Sequence, residues 1–436
     1  MVSEIILNRF KNLFDPNSKF DKKIEKIKID GWKNFNIHGL PPSPHTSELW
    51  KYANFSKLHK SEFSTTSKKD YDRGFYSSLF NDQTNWNKIY IVDGFYDEKN
   101  SIISNEIIIE NAVNLENLEY LNNQFGSIAI NSENEMIALN SSLMQDPILV
   151  SIRNPNKINN LQIIIVNSGE NFHSSSFPRL FVEFAPNTKS NIVEIFTNFA
   201  ENTYENLTVP VIEYLLEEKS EVSHKRIQID HGNSYYFQFD RILQNEESSF
   251  KSTSFSFSGL FSRYDIHSDL RGINSDCSFH GLYVTDKNQH QENEISTTHS
   301  VEKCSSDQMF KGILAGKSRA IFSGKVLVKK DAQKTRAFQK DLNFLLSQAA
   351  EIDTKPSLEI YADDVECSHG ATAGNIDKNM LFYLESRGIN KDQATSMLIR
   401  GFAQEIIEEF QDELLIEYLE KLLDDKIPTL DVEGIM

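Results

Sequence analysis

Cysteine is scarce. The 436 residues hold three, Cys277, Cys304 and Cys367, too few and too scattered for a disulfide framework or a four-thiolate metal site. Basic charge is also short: 45 lysines and arginines stand against 63 aspartates and glutamates, for a formal net charge of −18. Such a chain lacks the basic stripe of a nucleic-acid binder, so no nucleic-acid partner is expected. Long apolar runs are missing too. Nothing approaches the ~18 consecutive apolar residues that span a bilayer, so no membrane partner is expected. The opening Met1-Val2-Ser3-Glu4 carries an early acid, and Ile5-Ile6-Leu7 is too short for the apolar part of a signal peptide. The expected location is cytoplasmic.

What charge there is falls unevenly. Residues 401–436 carry eleven acidic and two basic side chains, half of the net charge, while residues 1–60 carry eleven basic and six acidic ones. An acidic tail fits either a solvated helix face or a basic partner.

The chain divides into three regions by pattern. Residues 1–125 hold all three tryptophans, Trp32, Trp50 and Trp86, and a breaker cluster at Pro41, Pro42 and Pro44. They read as short helices and loops leading into a strand at Ile89–Val92, with a turn at Asp93-Gly94. Residues 126–373 read as short β-rich runs separated by polar turns, with helical periodicity almost absent. The runs are Ile148–Ser151, Leu161–Val166, Leu180–Phe184, Ile192–Phe196, Val209–Leu215, Tyr235–Phe239, Phe250–Phe257, Phe279–Val284 and Ala320–Val328. Asn- and Ser-rich turns without Asn-Gly hairpins favour a parallel β-helix, and a sandwich stays open.

Residues 374–436 read as helical. The first helix covers Ile376–Arg387 and stops at Gly388. Asn390 with Gln393 three residues on makes a capping-box-like start for the second. Its apolar stripe runs Leu398, Phe402, Ile406, Phe410, Leu414, Tyr418 and Leu422, flanked by Ile399, Ile407, Leu415, Leu419 and Leu423. Strict i+4 spacing drifts about 40° per step on a 3.6-residue helix, so the helix should break or pack on two surfaces. This region fits a docking surface, a cap on the solenoid, or both.

Several motifs bear on chemistry. Gly312 to Ser318 imitates a phosphate loop, but it has three residues between its glycines where the pattern needs four, and strand follows instead of helix. No nucleotide is expected here. His280, His290 and His299, with Glu292 and Glu294 between them, could build a metal site only if coils stack them; lone histidines are more often hydrogen-bonded structural residues. Cys277 and Cys304 read as small core side chains. Asp363 and Asp364 suggest the carboxylate pair of a polysaccharide-cleaving β-helix, yet neighbours on a strand point to opposite faces. Cys367 and His369 differ, because alternation puts both on one face with Val365. Both are ligands for soft or borderline transition metals. Two ligands are too few for most sites, so the rest would come from elsewhere, such as another chain.

The segments Asp331–Thr335, Leu345–Ser347, Thr354–Ile360, Asp363–Thr372 with Cys367-Ser368-His369-Gly370-Ala371-Thr372, and Leu381–Ile389 together resemble the SufB/SufD family of iron–sulfur cluster assembly scaffold proteins. Pro178-Arg179-Leu180, Gly281-Leu282-Tyr283 and Glu48-Leu49-Trp50-Lys51-Tyr52 fit more loosely. The Cys-Ser-His-Gly form is similar to the SufD branch.

The resemblance implies a right-handed parallel β-helix with helical ends. It also implies a non-enzymatic scaffold that pairs with a SufB-like paralogue and carries a SufC-like ABC ATPase, in which nucleotide hydrolysis resides, on its carboxy-terminal helices. It makes His369 and Cys367 the metal-side residues for transient iron or a nascent cluster, with further ligands from the SufB partner. The implied partner-binding residues are Phe382, Leu398, Phe402, Ile406 and Phe410. Two other readings remain: a β-helical carbohydrate-active enzyme and a homomeric metal-binding scaffold.

Overall fold

The computed structural model describes residues 9–15, 20–41, 47, 49–77, 86–113, 118–169, 173–199 and 205–432. The Met1–Leu7 opening, Pro42, Pro44 and Glu48 lie outside the described residues.

Short strands alternate between two sheets along the chain, and nearly all pairing is parallel. Glu221 pairs with Ser249, Ser249 with Asp276, Asp276 with Ser305 and Ser305 with Arg336, so each coil takes roughly 30 residues. This pairing makes the molecule a parallel β-solenoid and excludes the antiparallel sandwich. The first sheet ends at Glu351–Ile360 and the second at Val365–Asn375. Tight turns join the sheets, many with a non-glycine residue at positive φ: Asn187, Lys219, Glu247, Lys287, Lys303 and Lys334. Gly316 holds the same place, and its missing side chain matters, since a Cβ there would sit 2.6 Å from the Lys287 nitrogen.

At the start, the strand Asn87–Val92 joins the second sheet, and the Asp93-Gly94 turn folds Phe95–Tyr96 back antiparallel to it. Ile107–Asn111 likewise runs antiparallel to Ile148–Ile152 in the first sheet. The amino-terminal region also contains a longer helix than its sequence suggested. Helix α1, Lys22–His38, starts where the Asp21 side chain accepts the Lys23 N–H. It lies so close to α2, Glu135–Leu143, that a Cβ on Gly31 would be 2.9 Å from the Ala138 carbonyl. Glu213, on the first sheet, pairs with Arg179 at 2.6 Å and accepts the backbone N–H groups of Gly126, Ile128 and Ala129. Both side chains of this ion pair are fully buried.

Three helices follow the last strand: α3, Lys378–Ser386; α4, Lys391–Glu408; and α5, Glu413–Lys426. The local signals behave as their chemistry dictates. Gly388 takes φ +86°, the Asn390 side chain accepts the Gln393 N–H, and the expected break comes at residues 409–412, where Asp412 caps α5. Ile399, Ala403, Ile406, Leu415, Leu419 and Leu423 pack into one apolar cluster with Ile195, Ile227, Phe255, Leu282 and Ile313 of the second sheet. The helices therefore cover the flank of the solenoid and do not cap its end. Among the described residues no helix is long and apolar enough to cross a membrane.

Candidate functional site

Along the strand Thr335–Leu345 the buried positions are Thr335, Ala337, Gln339, Asp341 and Asn343, which fixes the inward face of that coil. Their partners on the final strand are Val365, Cys367, His369, Ala371 and Ala373. Cys367 and His369 thus share the inward face, as their spacing predicts, on a coil that has no further coil stacked upon it among the described residues. Cys367 is half-buried, packing with Val326, Ala337, Leu358 and Val365. His369 is exposed, as is every residue from Ser368 to Asn375. A Cβ at Gly370 or Gly374 would meet nothing within 4 Å. Ile360, which ends the other edge strand, and Tyr361, which follows it, are exposed apolar side chains at the same end.

The chemistry of the two residues differs. Burial pushes the Cys367 thiol up from its ordinary value, which favours the protonated sulfur. The His369 ring stands in solvent and offers a nitrogen to whatever covers the end. Glu366 points outward and pairs with Arg336 at 3.0 Å.

The remaining sequence candidates scatter. His280 is wedged between Asp307, 2.7 Å from its Nε2, and Glu409, 2.6 Å from its Nδ1. These carboxylates hold the imidazolium against its burial and raise its pKa to about 9. His290 bonds Glu292 at 3.0 Å and stacks on Phe261. His299 lies inside the solenoid against Ser306, and burial lowers its pKa to about 4. The three histidines make no common site, because the first lies on the second sheet and the others at opposite ends of one strand. Cys277 and Cys304 are buried, as read. Asp363 and Asp364 are exposed, just before the final strand.

The expected docking stripe needs correction. Ile406 and Phe410 are buried against the β-body and cannot be reached without displacing α4. Phe402 is half-buried, its ring 5.4 Å from Phe344 and under the Lys311 ammonium. Phe382 is 71% exposed. Leu398 lines a separate apolar groove of about 460 Å³ between α3 and α4, with Met380, Tyr383, Leu384 and Met397.

One cluster gave no signal in the sequence. Glu194, His224 and Asp240 are buried together inside the solenoid, their ligand atoms all within 4.8 Å of one another. Gln238 donates to both carboxylates, at 2.6 and 3.0 Å, and Tyr264 donates to Asp240. Burial, with Glu194 nearby, raises the Asp240 pKa to about 8. Glu194 and His224 come from adjacent strands of the second sheet and Asp240 from the first sheet across the interior, so a search at the coil period could have paired the first two but not the third.

Comparison with known proteins gives the same outline. Residues 164–402 match the family model described as SUF system FeS cluster assembly, SufBD core domain, and residues 9–163 match the SufBD protein N-terminal region. The iron-sulfur cluster assembly protein SufD of Escherichia coli is 32% identical over 60% of this chain and 61% of its own length. A SufBD family protein of Synechocystis is 28% identical over 84% of the chain and 83% of its own length. A chloroplastic Arabidopsis thaliana protein, ABCI7, is 32% identical over 54% of the chain and half of its own length.

Proposed function

The chain belongs to the SufBD family of SUF-system iron–sulfur cluster assembly proteins, and on that premise we propose that it is a scaffold subunit whose bare solenoid end is completed by a SufB-like paralogue. The observation that carries this reading is the placement of His369: exposed, facing inward, on an 11-residue edge strand. A long uncovered edge presents a row of unpaired N–H and C=O groups and invites a second chain. Such a chain would bring its own ligands next to His369 and Cys367.

Iron, or a cluster under construction, is the cargo in this scheme. The His369 imidazole takes ferrous iron as a neutral ligand, so acid weakens binding. Cys367 joins by giving up its proton to solvent as the metal arrives. The groove between α3 and α4 is the proposed seat of a SufC-like ATPase, with Met397 and Leu398 as contacts inside it and the exposed Phe382 of α3 as a contact beside it. Because α4 and α5 are seated on the second sheet, an ATPase pulling on them would move the solenoid with them.

Two experiments test the parts separately. His369→Ala should still co-purify with SufB and SufC but fail to support cluster formation in cells; normal cluster delivery would remove His369 from the mechanism. Phe382→Asp combined with Met397→Asp should abolish co-purification with SufC while leaving SufB bound. Retained SufC would move that contact elsewhere.

A further inference from the structure

Directly beneath His369 the solenoid interior holds a set of oxygens short of ordinary hydrogen bonds. Gln339 is the strand partner of His369, and Asp341 the partner of Ala371. Both lie one strand spacing, about 4.8 Å, behind the open end. Asp341 is fully buried and Gln339 is 2% exposed. Asn343 donates to Asp341 Oδ2 at 2.8 Å, and the Gln339 amide donates to Gln308 at 2.9 Å. That leaves Asp341 Oδ1, Gln339 Oε1 and the Thr354 hydroxyl, each enclosed and without a hydrogen-bond partner of ordinary geometry.

Thr354 reaches this place from the last strand of the opposite sheet, and its hydroxyl acts on the Asp341 carboxylate. Gly324, across the interior, leaves room for the Gln339 amide, since a Cβ there would sit 3.0 Å from its nitrogen. The groups acting on Asp341, among the described residues, include no cationic side chain. A buried carboxylate in that position takes either a proton or a cation. Over Asp341 and Asn343 the inward positions of the final strand are only Ala371 and Ala373, small side chains that leave a short way in beside His369.

We propose that Asp341, Gln339 and Thr354 form an oxygen-lined site for a hard or borderline divalent cation, ferrous iron in the cell, one coil beneath His369. Carboxylate, amide carbonyl and hydroxyl oxygens suit such ions, and further positions would be filled by water. The identity of the cellular ion rests on the proposed scaffold function; the binding itself does not.

The test uses the full chain, stripped with chelator and titrated with Mn²⁺ followed by electron paramagnetic resonance. The wild type and His369→Ala should each bind one Mn²⁺ with similar affinity. Asp341→Asn should weaken it at least tenfold, and Thr354→Val should weaken it by a smaller factor. Mn²⁺ should raise the melting temperature of the wild type and leave that of Asp341→Asn unchanged. If Asp341→Asn fails to fold, the Thr354→Val loss carries the proposal. Undiminished Mn²⁺ binding by either variant, or no binding by the wild type, overturns it. His369→Ala supporting normal cluster formation in cells would instead sink the scaffold-site reading and leave the cation site standing.

Discussion

The two ends of the solenoid are finished differently. At the start, a folded-back hairpin and an antiparallel strand close the sheets, and the Arg179–Glu213 pair ties the neighbouring loop into place. At the far end, eight consecutive residues of the last strand stand exposed, and the two helices that could have covered them lie along the flank instead. The closed end is held by groups that must stay paired. At the open end the exposed side chains bury little, so changing them should cost the chain little stability.

Substitutions sharpen that contrast. The largest effect belongs to the closed end: Glu213→Ala should cost about 3–5 kcal/mol in urea unfolding, because it strands the buried Arg179 guanidinium and frees three backbone donors. The flank comes next. The pKa of His280 is raised from 6.5 to about 9, so its contribution is full below pH ~6.5 and is lost as pH rises through 9. The wild type should lose about 2–3 kcal/mol over that window relative to His280→Gln. The comparison with the variant matters, because burial lowers the Lys225 pKa to about 8 and its titration runs in the opposite direction. The open end is last. Ala373→Lys should change stability by no more than about 0.5 kcal/mol, yet shift the proposed pair with a SufB-like paralogue to monomer in size-exclusion chromatography. A large loss of stability from Ala373→Lys would erase the distinction between the ends.

The sequence carried the architecture wherever the usual signals were local. The caps at Gly388 and Asn390, the turn at Asp93-Gly94 and the parity of Cys367 and His369 depend on near neighbours, and all were readable. The strands Phe261–Leu270, His290–His299 and Ser305–Leu314 were not. Their inward positions include Ser262, Asn293, Thr297, His299 and Gln308, polar side chains buried against partners such as Ser306 and Thr297 on other strands, so hydropathy does not alternate. The same physics hid Glu194, His224 and Asp240. On α4 the error was one of rotation: the i+4 rule chose Leu398 and Phe402, whereas the sheet takes Ile399, Ala403 and Ile407, one position further along. Ile406 and Phe410 belong to both stripes and were assigned to the wrong side.

The coil period has a consequence for how this molecule can vary. Each inward column contains one residue from each successive turn, so removing a whole turn would shorten the rod while leaving every surviving column in line. Removing a single residue within a strand would exchange inside for outside up to the next bend. Length can therefore change only in whole-coil steps, and the terminal platform would keep its form while its distance from the amino-terminal cap was reset.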